Sequence, residues 1–174
     1  MRRGALWHHG PEPAKRPPGD PHEHRCRPLG ATDRKVDRLL AHYGESHRNP
    51  TNEAIHVVAI PAIMVSIVGL LFALHPWVAY AFLAASAVYY VGLRAPVFLV
   101  AMLAASAAAL ALVHAMGDLV LPISAAIFVV AWIFQFIGHK VEGRKPSFFE
   151  DIQYLWVGPL FVLSLLFSRL GIRW

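Results

Sequence analysis

The sequence predicts an all-α protein: an integral membrane helical bundle of about five transmembrane helices, with four as the alternative count, preceded by a short amphipathic helix. Three observations predict it. The chain is 56% hydrophobic and only 16% charged, against roughly 25% charged residues in a soluble domain. From Ala54 to Gly138 the only charged residues are Arg94 and Asp118. The apolar runs are each about 17 to 22 residues long, enough to cross roughly 30 Å of hydrocarbon at about 1.5 Å per residue. Strands would need a closed barrel, and the runs do not alternate. A length of 174 residues suits one domain.

Residues 1–31 are rich in Pro, Arg and His and have no apolar period. They are expected to be a disordered basic tail. Loose metal binding by His8, His9, His22 and His24 is the alternative to a solvated tail. "MRRGALWHHGPEPAKRPP" carries paired arginines but no apolar run behind them, so membrane insertion is expected to rest on the first long apolar helix. The membrane-embedded domain is expected over 32–174.

Thr32 or Asp33 can cap a first helix. Val36, Leu39, Leu40 and Tyr43 then fall at i, i+3, i+4 and i+7, one helical stripe, with Arg34, Lys35 and Arg38 off it. This predicts a short helix lying on the membrane surface and ending at Gly44. Five apolar segments follow: Ala54–Leu74, Trp77–Leu93, Ala95–Met116, Leu119–Gly138 and about Ile152–Leu170. His75-Pro76 and Ala95-Pro96 separate the first three, because a helix seldom continues into a proline. Trp77 and Tyr80 are expected at one interface and Tyr89 and Tyr90 at the other. Ala101, Ala105 and Ala109 repeat at four-residue spacing, as small residues do where helices approach closely.

Ten of the sixteen Lys and Arg residues precede Ala54. Arg94 and the loop with Lys140, Arg144 and Lys145 share their face if there are five spans. The intervening loops carry only Asp118. The basic face, and with it the N-terminus, is therefore expected to be cytoplasmic. Arg169 and Arg173 then fall outside, which leaves a re-entrant or incomplete fifth segment as the alternative. The net charge of +5 reads as topology and contact with membrane lipid rather than nucleic-acid binding. The lone Cys26 excludes an intrachain disulfide and a cysteine-rich metal site.

Two stretches carry groups suited to chemistry. "HRNPTNEAIH" holds His47, Asn49, Asn52 and His56. Pro50 suits a first helical turn with Asn49 as its cap. Asn52 and His56 are four apart and share a face, and His47 can fold back over the helix start. "QFIGHKVEGRKP" places Gln135, His139 and Glu142 at i, i+4 and i+7, again one face. Both stretches fall at cytoplasmic ends of spans, so three imidazoles, a carboxylate and several amides can converge. Imidazole is the commonest metal ligand among side chains, and ionisable groups at membrane depth are costly and usually functional. Histidines with a carboxylate suit non-haem Fe(II); zinc hydrolysis uses similar ligands. Glu142 is expected as a ligand or as the partner that orients one. Asn49, Asn52 and Gln135 are expected around the ligands, and Tyr43 either packs the amphipathic helix or donates into the site. His42 is expected at the surface. His75 and His114 are expected at the opposite face, His114 joining the cluster only if the topology differs.

"HYGESHRNPTNEAIHVVAIP", then "WIFQFIGHKVEGRKPSFFED" and "LWVGPLF", resemble the 2-hydroxy fatty acid dioxygenase family of small membrane proteins. The resemblance runs from about Val36 to Leu170. It implies an Fe(II)-dependent enzyme that uses O₂ to shorten long-chain 2-hydroxy fatty acids by one carbon. In eukaryotic members this serves breakdown of the phytosphingosine base. The family's histidines match His47, His56 and His139, its asparagines Asn49 and Asn52, and its acidic residue Glu142. Two departures stand out: the tail before Thr32 has no counterpart, and Ser147 follows Pro146 where a small apolar residue is usual. Other readings of the same residues are a lipid hydrolase, a reductant-dependent hydroxylase, or a small transport or scaffold protein whose histidines sense pH. Against the last, the polar residues gather at one end and leave no midplane site of the kind transporters use.

Overall fold

The structure is a computed structural model, and it describes residues 34–45, 47–143 and 154–174. The expected disordered tail, the Thr32 and Asp33 caps, Arg144, Lys145, Ser147 and the start of the fifth apolar segment lie outside the described residues. Among the described residues six α-helices follow one another: α1 Lys35–Gly44, α2 Pro50–Leu74, α3 Pro76–Gly92, α4 Pro96–Ala115, α5 Val120–Glu142 and α6 Val157–Leu170. A single 3₁₀ turn, Gly117–Leu119, joins α4 to α5. Among the described residues there is no strand.

Local chemistry explains most boundaries. Helices α2, α3 and α4 each begin with a proline. Proline drives the residue before it out of the helical region and presets φ for the helix that follows. Asn49 and His75 accordingly stand in extended backbone. Each caps its helix: Asn49 Oδ1 accepts Thr51 N–H at 2.9 Å and His75 Nδ1 accepts Trp77 N–H at 3.3 Å. Such a cap contributes about 1 kcal/mol. Gly143 ends α5 and Gly171 ends α6, both in the left-handed conformation, at φ +77° and +69°, where a side chain is strained.

Among the described residues three stretches are long and apolar enough to cross a membrane: Pro50–Leu74, Pro96–Ala115 and Gly117–Glu142. Helices α3 and α6 are apolar but shorter, with 17 and 14 residues. Fourteen residues rise only about 21 Å. Both ends of α6 also lie at one end of the bundle. Ahead of its start, Trp156 Nε1 donates to Ser86 Oγ at 3.0 Å, and Tyr90 Oη donates to the Trp156 carbonyl at 3.2 Å. Near its end, Phe167 and then Trp174 pack on Phe98, with ring centroids 5.4 and 4.8 Å apart. Residues 86–98 flank the α3–α4 connection, so α6 lies across that end of the bundle.

Helix α1 runs antiparallel to α6. Arg34 donates to the Trp174 carbonyl at 3.0 Å, while Tyr43 meets Phe161 at 5.1 Å. The stripe read from the sequence is present: Val36, Leu40 and Tyr43 are buried and Leu39 is partly buried. It packs on α6 and the α3–α4 connection. Protein cover removes the same apolar area from water as the bilayer would. Tyr90 is likewise buried in this cluster, so it belongs to the core and not to an interfacial belt. Trp77 at the other end is exposed.

Helices α2 and α5 form an antiparallel pair in which, at two points, a glycine of one helix makes room for a side chain of the other. A Cβ on Gly69 would collide with Ser124 Oγ, and a Cβ on Gly138 with Asn52 Oδ1. These glycines, rather than the alanine stripe, set the closest approach. Of that stripe Ala109 is buried, but Ala105 is exposed.

Candidate metal centre

Three imidazoles from three different elements meet at the end of the α2/α5 pair. His47 lies in the connection between α1 and α2, His56 on the second turn of α2, and His139 on the last turn of α5. Ring centroids stand 4.5 Å apart for His47 and His56, 5.3 Å for His56 and His139, and 5.9 Å for His47 and His139. All three rings are buried, at 5, 0 and 8% exposure. Three buried rings in an apolar bundle, each costly to desolvate, are not explained by packing alone.

Backbone carbonyls set the protonation of two of them. His47 Nδ1 lies 2.8 Å from the Tyr43 carbonyl, and His56 Nδ1 lies 3.0 Å from the Asn52 carbonyl. A carbonyl only accepts, so both rings carry a proton on Nδ1, and in the neutral ring the lone pair is left on Nε2. That is the tautomer of a metal-ligating histidine whose other nitrogen is anchored on a carbonyl. Tyr43 also stacks on His47, with centroids 4.2 Å apart and planes 12° from parallel. Phe161 of α6 packs beside both rings, 5.5 Å from His47 and 5.1 Å from Tyr43.

Glu142 clasps the two sequence motifs together. Its Oε1 accepts Arg48 N–H at 2.9 Å; its Oε2 accepts Asn49 N–H at 3.0 Å and the Asn52 amide at 2.9 Å. Both oxygens are therefore engaged by the start of α2. A carboxylate there also faces the positive end of the helix dipole, a contact contributing roughly 0.3–1 kcal/mol. Asn49 is thus the cap of α2 and a donor to Glu142. Asn52 is fully buried and bridges Glu142 to His56. Gln135, one turn before His139, sets its Nε2 3.0 Å from His56 Nε2.

The residues the sequence grouped therefore do come together: Tyr43, His47, Asn49, Asn52, His56, Gln135, His139 and Glu142. His42 is exposed beside Glu45, with 3.7 Å between His42 Nδ1 and Glu45 Oε2. His75 and His114 are exposed at the other end of the bundle, His114 against Phe72 at 4.9 Å. Sequence reasoning missed Phe161, Gly138 and the apolar cleft beside Gln135. A glycine directly before His139 in an apolar helix was the available signal.

Three imidazoles are donors that a divalent metal accepts. Three imidazoles sharing one ion at about 2.1 Å place their centroids roughly 4.5–5.5 Å apart, and two of the three pairs fall in that range. Among the described residues, no three His, Cys, Asp or Glu could hold an ion in the arrangement as it stands. The Gln135 amide faces the His56 lone pair, and the His47–His139 pair is a few tenths of an ångström wide. Holding a metal requires the amide to turn aside and the rings to close slightly.

Fold and site together define a helical membrane protein with a buried histidine centre at one end of its bundle. The chain belongs to the Mpo1-like family, described as 2-hydroxy-palmitic acid dioxygenase Mpo1-like, which matches residues 34–170. It is similar to 2-hydroxy-palmitic acid dioxygenase MPO1 of Saccharomyces cerevisiae, with 30% identity over 138 residues, covering 76% of this chain and 79% of that protein. No solved structure matches.

Proposed function

We propose that this protein is an Fe(II)-dependent membrane dioxygenase that converts a long-chain 2-hydroxy fatty acid into the acid one carbon shorter. The observation that carries the reading is the buried trio His47, His56 and His139, with Nδ1 of two rings anchored on carbonyls. Family membership supplies the substrate class. The reaction balances with O₂ alone: R–CH(OH)–COOH and O₂ give R–COOH, CO₂ and H₂O. The substrate gives up four electrons, which is the full reduction of one O₂, so no further reductant enters.

His47, His56 and His139 would hold the iron, which when bound supplies the redox chemistry with O₂. The rest of the site acts by position. Tyr43 and Asn52 fix the ring tautomers through their backbone carbonyls. Glu142 holds the start of α2 against the end of α5, and so sets the distance between His56 and His139. Phe161 and Tyr43 exclude water from the His47 side. Gln135 covers the His56 lone pair until a ligand displaces it.

The site is assigned to the cytoplasmic face. Arg34, Arg94 and Arg173 lie at the end of the bundle that holds the α3–α4 connection, whereas the opposite end carries Asp118. The positive-inside rule places the first group in the cytoplasm. With α6 lying across that end, Arg169 and Arg173 join that face, and among the described residues no Lys or Arg lies on the other.

The test is turnover by purified protein in detergent, supplied with Fe(II), O₂ and a long-chain 2-hydroxy acid. CO₂ and the acid one carbon shorter should form without flavin, 2-oxoglutarate or a reductase, and the non-hydroxylated acid should be inert. A requirement for 2-oxoglutarate, or equal reaction of the non-hydroxylated acid, replaces this reading with a hydroxylase.

A further inference from the structure

Beside the histidine centre lies a cleft between α2, α5 and the first turn of α6. Its walls include Ile60, Ile63, Met64, Trp132 and Gly158, and its polar end is Gln135. The cleft adjoins the centre at two places, through Gln135 on His56 and through Tyr43 on His47. Its volume is about 30 Å³, room for about two water-sized groups. Gly158 keeps one wall close: a Cβ there would stand 3.3 Å from Ile60 Cδ1.

The Gln135 side chain is 3% exposed, and its Oε1 has no hydrogen-bond partner among the described residues. A buried carbonyl oxygen without a donor is costly, and it belongs to a side chain that lines the cleft and contacts His56. A ligand that supplies a donor at one end and methylene groups behind it satisfies both features.

We propose that this cleft receives the carbons of the acyl chain next to the hydroxyl-bearing carbon, with the hydroxyl donating to Gln135 Oε1 as the amide turns away from His56 Nε2. The inference rests on the 2-hydroxy acid reading above and adds the residues that set selectivity. The cleft is too small to enclose a long chain. Only the segment nearest the carboxyl group is held by protein, and the remainder runs along partly buried Met64, Ile67 and Phe128 into lipid. Selectivity therefore falls on branching close to the carboxyl group and not on total chain length.

The experiment compares unbranched 2-hydroxy acids of increasing length with a 3-methyl-2-hydroxy acid, in wild type and in Met64→Ala. Rates along the unbranched long-chain series should stay within about threefold. The methyl branch should cost roughly tenfold or more in kcat/KM, as one extra group does in a filled apolar pocket. Met64→Ala should recover much of that loss, and the milder Ile63→Val should recover part of it in a fold closer to wild type. A steep optimum in chain length, or a branched acid that reacts as well as the unbranched one in wild type, overturns the proposal. A binding readout separates it from the reaction reading. A 2-hydroxy acid with a diazirine at its third carbon should label Ile63, Met64 or Trp132, and one with the diazirine at the chain end should not. If no 2-hydroxy acid turns over but this labelling holds, the reaction is wrong and the cleft stands. If turnover occurs and the third-carbon probe labels other residues, the cleft is wrong and the reaction stands.

Discussion

Asn52 and Glu142 are 90 residues apart in sequence, and the Asn52 amide donates to the Glu142 carboxylate at 2.9 Å. The same asparagine holds His56 Nδ1 with its backbone carbonyl at 3.0 Å. The contact couples the end of α5, which carries His139, to the turn of α2 that carries His56. The spacing of two proposed ligands therefore depends on a residue pair that touches no metal.

Glu142→Ala should lower activity by about 10–100-fold without abolishing it, as the loss of an outer partner does at a metal site. Three N–H groups lose their acceptor, and thermal stability in detergent should fall by about 1–2 kcal/mol. Glu142→Gln keeps one carbonyl oxygen and should fall between the two. Wild-type activity in Glu142→Ala would refute the clasp.

His47→Ala, His56→Ala and His139→Ala should each lose bound iron while the protein remains in the membrane. Metal analysis of the purified variants decides this. Normal iron content in all three removes the metal centre from consideration.

Gly138→Ala should destabilise the protein by about 1–3 kcal/mol, the usual cost of overpacking a filled contact. Its Cβ would meet Asn52 Oδ1 and stand 3.3 Å from His56 Cε1, so activity should fall with stability. Gly92→Ala is the control. A Cβ there meets nothing within 4 Å, and the helical position should tolerate or gain from alanine. Equal melting temperatures for both variants would show that the α2/α5 approach is looser than described.

Single cysteines at Lys140, Arg173 and Asp118, in a Cys26→Ser background, report the path of α6. Lys140 and Arg173 should label from the cytoplasmic side and Asp118 from the other. Arg173 labelling with Asp118 would mean that α6 crosses the membrane.

Features that arise between residues close in the chain were legible in the sequence. A proline at the first position of α2, α3 and α4 breaks the preceding helix by a clash with its own neighbour. Asn49 caps by reaching only to Thr51. The period of Val36, Leu40 and Tyr43 and the i, i+4 pairs Asn52–His56 and Gln135–His139 are likewise local. So the helices, and the two faces that carry the imidazoles, could be read before any packing was known. The tertiary structure decided what those faces meet. The close approach at Gly138 required α2 and α5 to be antiparallel in one particular register. In that register Gln135 faces His56, Glu142 receives three N–H groups from the start of α2, and a cleft opens beside Trp132. The stripe of α1 announced burial but not its partner, because lipid and the face of α6 cover apolar area equally well. The apolar run after Ile152 resembled a crossing helix by composition. Its placement across the end of the bundle, beside Phe98, depends on aromatic contacts between residues far apart in the chain, which no local pattern encodes.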